Sequence, residues 1–427
     1  MSGPMNGAVH GVANAALNGA MGGAMNVALS GAPERPLDAP APRPGLPLVD
    51  YKTAYADPFR FNHADQFKAL MLETLAHGCS DIFIQPMTPV CARINGRMMA
   101  ITRRDIDDGE VKSILKWAAD RDTAHTDILE GKPVNGRYEL FDPTAKAASG
   151  ARVRYGYRVN AVPVLCEGTT SAQIVIRAIP TKPPAAAELD LSEAVLVAAT
   201  PKTGIVYVAG ATGSGKTTTF AAIIRHILEG DTPIKGNIVT YEEPIEFRFH
   251  MIESTHSVIV QSQVPDMIQN FYVGIREAMR RKPELIMIGE LRDQETIRSA
   301  VEASLTGHAV FATVHASNVA AIARRLISRF PEGERATAIF DIIETSRFMM
   351  AQRLVRTRAG GLAAAREYLV FDEGIRDALL GLDQMGKVTQ ALKELVAERG
   401  HSFKREAARL YDNGVIDERV AQELAEA

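Results

Sequence analysis

The stretch Gly210-Ala211-Thr212-Gly213-Ser214-Gly215-Lys216-Thr217 constrains this chain more than any other feature of it. It fits G-x-x-x-x-G-K-[ST], in which glycines let backbone N–H groups come up against a polyphosphate that side chains would block. In that pattern Lys216 neutralises the outer phosphates of ATP, the Thr217 hydroxyl holds Mg²⁺, and Thr218 continues the nucleotide-binding run. The flanks supply the geometry the pattern needs. Ile205-Val206-Tyr207-Val208-Ala209 reads as a short buried strand, and Phe220, Ile223, Ile224, Ile227 and Leu228 recur at helical spacing until Gly230. An ordinary glycine-rich turn has no reason to sit between a strand and a helix of this kind.

At 427 residues and 46% hydrophobic content the chain has room for two cored domains and a tail. A formal net charge of −3 gives no electrostatic reason to expect nucleic acid, so direct nucleic-acid binding is not expected. Cys79, Cys91 and Cys166 form no C-x-x-C pair, which points away from a disulfide framework or a zinc site and towards reduced thiols in a cytoplasm. No run approaches the ~18 apolar residues of a membrane span, and the N-terminus lacks the charged start and leucine-rich centre of a signal peptide. Membrane association is therefore expected to be peripheral.

Residues 1–50 are rich in Ala, Gly, Asn and Met and then in Pro, and are expected to form a flexible extension. A domain over 51–180 opens with a helix marked by Phe67, Leu70, Met71 and Leu75. It continues with strands at Ile82–Ile84, Val90–Ile94 and Arg97–Ile101, the last two joined at Asn95-Gly96, and with a helix around Val111–Ala119. From Ala151 to Asn160 the alternation puts Val153, Tyr155, Tyr157 and Val159 on one face and Arg152, Arg154 and Arg158 on the other; a following strand, Gln173–Ala178, adds Arg177. Solvated arginines on a half-buried sheet fit this pattern, and so does an anion-facing cluster. The run 181–187, Thr-Lys-Pro-Pro-Ala-Ala-Ala, reads as a linker. Alternating strands and helices over 188–330 predict a mainly parallel α/β sheet. Residues 331–427 read as helical, with one strand-like interruption at Glu367–Phe371 and two small amphipathic helices across Gln390–Glu426.

Hydrolysis needs a group that deprotonates or orients water beside the γ-phosphate. Leu285-Ile286-Met287-Ile288 is a buried-strand run ending in Gly289-Glu290, which delivers a carboxylate to the ligand-binding edge of an open α/β sheet and makes Glu290 the candidate general base. A second strand, Gly236–Thr240, leads into Tyr241-Glu242-Glu243-Pro244-Ile245-Glu246-Phe247. Glu242 suits contact with metal-bound water, while Glu243 and Glu246 equally suit capping the loop. A third strand, Ala309–Val314, is bracketed by His308 and His315, each equally compatible with a structural role or a sensor role.

Taken together, Gly210–Thr218, Glu242–Phe247, Ile288–Asp293 and Thr306-Gly307-His308 with His315 resemble the secretion-ATPase superfamily of type II and type IV secretion and type IV pili. The resemblance implies a PAS-like α+β N-terminal domain, then a RecA-like P-loop ATPase domain with a helical C-terminal extension. It implies Gly210–Thr217 as the Walker A loop, Glu242 in the Asp box, Glu290 as the Walker B glutamate and His308 with His315 as the His box. Arg158 and Arg177 resemble arginines that approach nucleotide bound between subunits. Cofactors ATP and Mg²⁺, a homohexameric ring and a place at the cytoplasmic base of an envelope-spanning machine follow from the same resemblance. Its partners there would be inner-membrane or cytoplasmic components, among them another secretion ATPase. The missing tetracysteine insertion argues against type II secretion and pilus extension. Glu243 in place of aspartate and Ala378-Leu379-Leu380-Gly381 depart from pilus-retraction members, whereas Arg366–Phe371 and the longer tail are more similar to the DotB and conjugative TraJ branch of type IVB systems. Pilus retraction, a nucleotide-gated assembly scaffold with slow turnover, and a RecA-type translocase of nucleic acid are the alternatives.

Overall fold

The computed structural model describes residues 46–94, 96–146, 152–179, 182–249 and 252–426. The extension up to residue 45, Asn95 of the expected hairpin turn, Ala151 and Thr181 lie outside the described residues, as do the side chains of Arg152 and Val153. The chain divides into two compact units between Thr181 and Lys182.

In the first unit β1 (Asp81–Ile84), β2 (Cys91–Ile94), β3 (Arg97–Ala100), β4 (Val134–Lys146), β5 (Arg152–Cys166) and β6 (Thr169–Ile179) form one sheet in the order β3-β2-β1-β6-β5-β4. Every neighbouring pair is antiparallel. Helices Ala64–Ala76 and Asp108–Ala119 supply Phe67, Leu70, Ile114 and Leu115 to a core shared with Ile82, Tyr157 and Ile176 of the sheet. The second helix starts where the sequence lets it. Asp107 accepts from the Glu110 N–H at 2.8 Å, and Glu110 accepts from the Asp107 N–H at 2.8 Å, a reciprocal cap that satisfies two otherwise unpaired donors. The alternation of β5 holds in space: Tyr155, Tyr157 and Val159 are buried, while Arg154 and Arg158 are exposed. Strand β4 was not expected. Its Gly136 and Pro143 interrupt the period-2 pattern, yet Val134 to Phe141 pair in register with Ala161 to Arg154.

In the second unit β7 (Gly204–Ala209), β8 (Asn237–Glu242), β9 (Val258–Gln263), β10 (Pro283–Ile288), β11 (Ala309–Val314), β12 (Ser346–Arg356) and β13 (Leu362–Val370) are ordered β13-β12-β7-β11-β10-β8-β9. All pairings are parallel except β12 with β13. Strand β7 is buried along its whole length, with Ile205, Tyr207 and Ala209 in the core on one face of the sheet and Val206 and Val208 in the core on the other. That is why it reads as a continuous apolar run without alternation.

Two expectations for the second half need correcting. The sheet does not end before residue 331: β12 and β13 complete it beside β7, so the stretch expected to be helical carries two strands instead of a brief interruption. Phe348 and Met350 enter one core and Met349 the other, so β12 has no alternation, and its Met, Ala, Gln, Arg and Leu content favours helix until sheet contacts override it. The tail holds three helices where two were expected, Met385–Glu398, Phe403–Asp412 and Glu418–Ala425. Ser402 and Asp417 cap the last two by accepting from the N–H groups of Arg405 and Val420. The division between the units falls within the run 181–187 read as a linker, and the residues just after it are anchored. Lys182 pairs with Glu229 at 3.1 Å and Arg225 donates to the Pro183 carbonyl at 2.7 Å, which ties residues from Lys182 onward to the helix Lys216–Glu229.

Candidate functional site

Because β7, β8, β10 and β11 run parallel, the residues that follow them line one edge of the sheet. Those residues are the Gly210–Thr217 loop, Glu243, Glu290 and His315.

The loop leaves β7 with the Gly210 N–H bonded to the Val314 carbonyl at 3.2 Å. Gly215, at φ +84°, immediately precedes the helix Lys216–Glu229, and a Cβ there would lie 2.9 Å from the Gln352 amide nitrogen. Only glycine passes at that point. The first N–H groups of this long helix and the positive end of its dipole therefore face whatever the loop encloses, an arrangement that favours an anion. Lys216 Nζ donates to the Gly210 and Ala211 carbonyls, both at 2.9 Å. Burial lowers the Lys216 pKa, opposed by the charges of Glu290 and Glu246. Ser214 Oγ is buried and has no hydrogen-bond partner among the described residues. Thr217 and Thr218 are half-buried, and Thr219 points inward to the Gln352 Oε1 at 2.8 Å. A cavity of about 730 Å³ is bounded by Gly210–Ser214 together with His315, Gln352, Arg353 and Leu354.

Glu290 accepts from Arg292 Nε at 2.8 Å and lies 3.5 Å from His315 Nε2. Arg292 also reaches Glu243 at 2.9 Å, so one guanidinium holds two carboxylates. Hydrogen bonding to Glu290 raises the already high Arg292 pKa. For His315, burial and the nearby Lys216 charge together outweigh Glu290 and lower the pKa, which keeps the ring neutral at pH 7. Glu242, the last residue of β8, is buried; it accepts from Thr240 Oγ1 at 2.6 Å and Gln261 Nε2 at 2.9 Å. Burial pushes its carboxyl pKa up against those two bonds.

The structure thus gathers the loop, Glu290, His315 and Glu243 at one edge, with Glu242 just beneath it. His308 is not among them. It precedes β11 at the opposite edge, where its Nδ1 lies 2.9 Å from the Ala303 carbonyl at the end of helix Gln294–Leu305. Arg158 and Arg177 are register partners on β5 and β6 of the first unit, and Arg177 pairs with Asp81 at 2.7 Å. Sequence reasoning assigned no role to Arg292, Gln352 or Arg366. One signal for Gln352 was present: a lone amide closing the apolar run Phe348-Met349-Met350-Ala351.

Over residues 63–422 the chain matches the family described as Type II/IV secretion system protein. The chain belongs to that family. The X-ray structure of the Yersinia pseudotuberculosis ATPase DotB is 48% identical to it, with a TM-score of 0.77, covering 90% of this chain and 98% of that one. The Legionella pneumophila ATPase DotB is 38% identical with a TM-score of 0.78, covering 90% and 99%. The pilus retraction motor PilT, solved with bound ADP, is 25% identical with a TM-score of 0.71, covering 84% and 97%. The expected N-terminal domain followed by a RecA-like ATPase domain stands, as does the resemblance to the DotB branch. This chain is an ATPase of the secretion and pilus motor type, and ATP is its nucleotide.

Proposed function

We propose that this ATPase is the ring-forming motor of a type IVB secretion or plasmid-conjugation machine of the DotB and TraJ kind. Supporting it is one observation above the rest: similarity to two DotB structures across nine-tenths of the chain, in a protein whose sheet edge carries the loop, a carboxylate and a histidine together. The motor is a homohexamer, cytoplasmic and peripheral at the inner membrane. It works with membrane or cytoplasmic components of the machine, including a second secretion ATPase, and takes no nucleic acid itself. Among the described residues no helix is long and apolar enough to cross a membrane.

Backbone N–H groups of Gly213 to Thr218 seat the phosphates, and Lys216 exchanges two neutral carbonyls for anionic oxygens. Glu290 takes the proton of the attacking water, while Arg292 holds the carboxylate aimed. Neutral His315 offers its ring N–H beside the same carboxylate. Thr217 and Glu242 are the residues that would hold Mg²⁺, directly or through its waters, and Glu242 is already fixed by Thr240 and Gln261. When bound, Mg²⁺ supplies charge that neutralises the phosphates. Arg158 and Arg177, brought by the N-terminal domain of a neighbouring subunit, stabilise charge developing on the γ-phosphate, and this couples hydrolysis to domain rotation.

Mg·ATP hydrolysis measured against protein concentration, with ring formation followed on the same samples, tests this reading. Activity per chain is expected to climb as rings assemble, and Arg158→Ala and Arg177→Ala rings are expected to lose turnover. Rings that form with activity still near background would favour the scaffold alternative.

A further inference from the structure

Gln352 and Arg366 stand out as buried polar groups in the middle of an apolar sheet, 2% and 4% exposed. Gln352 Oε1 accepts from Thr219 Oγ1 at 2.8 Å and from Arg366 Nε at 3.0 Å, while its Nε2 donates to the Ser214 carbonyl at 2.6 Å. A guanidinium has donors only, so the amide atom that faces it must be the oxygen. Arg366 thereby decides which way the amide points, and the nitrogen is left aimed at Ser214. Ser214 lies between Gly213 and Gly215, at φ +79° and +84°, where the backbone has no neighbouring side chain to hold it.

Arg366 itself pairs with no carboxylate among the described residues. Its remaining donors rest on the Leu189 carbonyl at 2.8 Å and the Asp190 carbonyl at 3.4 Å. A buried cation hydrogen-bonded only to carbonyls, with the Glu406 and Asp190 carboxylates acting on it without direct contact, is a poor source of stability, which calls for another reason to keep it. The Asp190 carboxylate is in turn 2.8 Å from Arg409, and Arg409 pairs with Glu406 at 2.8 Å on the C-terminal helix Phe403–Asp412.

We propose that Gln352 and Arg366 are positioning residues for the phosphate loop, and that Arg366, through Leu189 and Asp190, ties the geometry of that loop to the C-terminal helix bearing Arg409. This rests on Gly210–Thr217 being the nucleotide cradle. The tail is then a handle: whatever moves Arg409 loosens nucleotide.

The test is the dissociation constant of a fluorescent ATP analogue, with kcat, KM and thermal unfolding on the same full-length variants. Gln352→Glu keeps the partner of Arg366 but turns a carboxylate on the Ser214 carbonyl; its affinity is expected to fall about tenfold or more, with kcat changed less than KM. The pair Gln352→Leu with Arg366→Met removes both buried polar side chains but leaves the Ser214 and Leu189 carbonyls and the Thr219 hydroxyl without them, so the expected result is a folded protein that unfolds at a lower temperature, with affinity down about tenfold. Arg409→Ala, outside the site, is expected to weaken affinity about threefold. Wild-type affinity in the folded Gln352→Glu or double variant overturns the positioning role, and wild-type affinity in Arg409→Ala overturns the link to the tail. Full affinity in Lys216→Ala would instead overturn the cradle assignment beneath both.

Discussion

Glu290→Gln removes one charge and keeps the side chain's shape. The carboxylate is 15% exposed, 2.8 Å from Arg292 and 3.5 Å from His315, and Arg292 retains Glu243 when the charge is gone. Arg292 is half exposed, so the lost pair changes stability by only ~0–1 kcal/mol and the fold should hold. Loss of a general base slows the chemical step by ~10²–10⁴-fold, or about 3–5 kcal/mol of barrier. Binding moves the other way. ATP carries negative charge, and removing a carboxylate that faces Lys216 leaves KM unchanged or lower. Glu290 also opposes the fall in the His315 and Lys216 pKa values, so both groups should titrate at still lower pH in the variant. The assay is a single-turnover acid quench with protein in excess, beside a fluorescent-nucleotide titration. Less than a tenfold loss in the cleavage rate refutes the assignment. Cleavage lost in Glu242→Gln but kept in Glu290→Gln moves the base to Glu242.

The two histidines should separate cleanly: His315→Asn is expected to lower kcat about tenfold, whereas His308→Ala should leave kcat within about twofold and lower stability by ~1 kcal/mol, the worth of one helix-terminal hydrogen bond. Acid unfolding should report Glu406. Burial pushes its carboxyl up, but hydrogen bonds from His401 and Arg409 and the Arg409 charge outweigh it and hold the pKa at about 2. A depressed carboxylate adds stability that is complete above its ordinary value of 4.5 and disappears as pH falls from there towards 2. Wild-type stability should lose ~3 kcal/mol across that window, and Glu406→Gln should already lack it at pH 7; parallel stability curves for the two proteins would contradict this.

Much of the ATPase half was legible because its signals are local. The strand-loop-helix around Lys216 lies within one unbroken run, and the carboxylate of Glu290 is announced by four apolar residues before it. The features that escaped depend on partners far away in the chain. Gln352 meets Ser214 across 138 positions, and β12 is a strand only because β7 and β13 flank it; alone, its residues prefer helix.

The histidines teach a different lesson, because their separation was readable. His308 and His315 bracket the six residues of β11. A strand advances ~3.3 Å per residue, so groups at its two ends stand roughly 20 Å apart, on opposite edges of the sheet. Within one chain they cannot serve one phosphate. Nearness in sequence brings side chains together across a turn of helix, whereas across a strand it drives them to opposite ends. His315 goes to the edge that carries the Gly210–Thr217 loop because it follows β11, as Gly210 follows β7 and Glu290 lies just past β10, and His308 is left to cap the helix that precedes the strand.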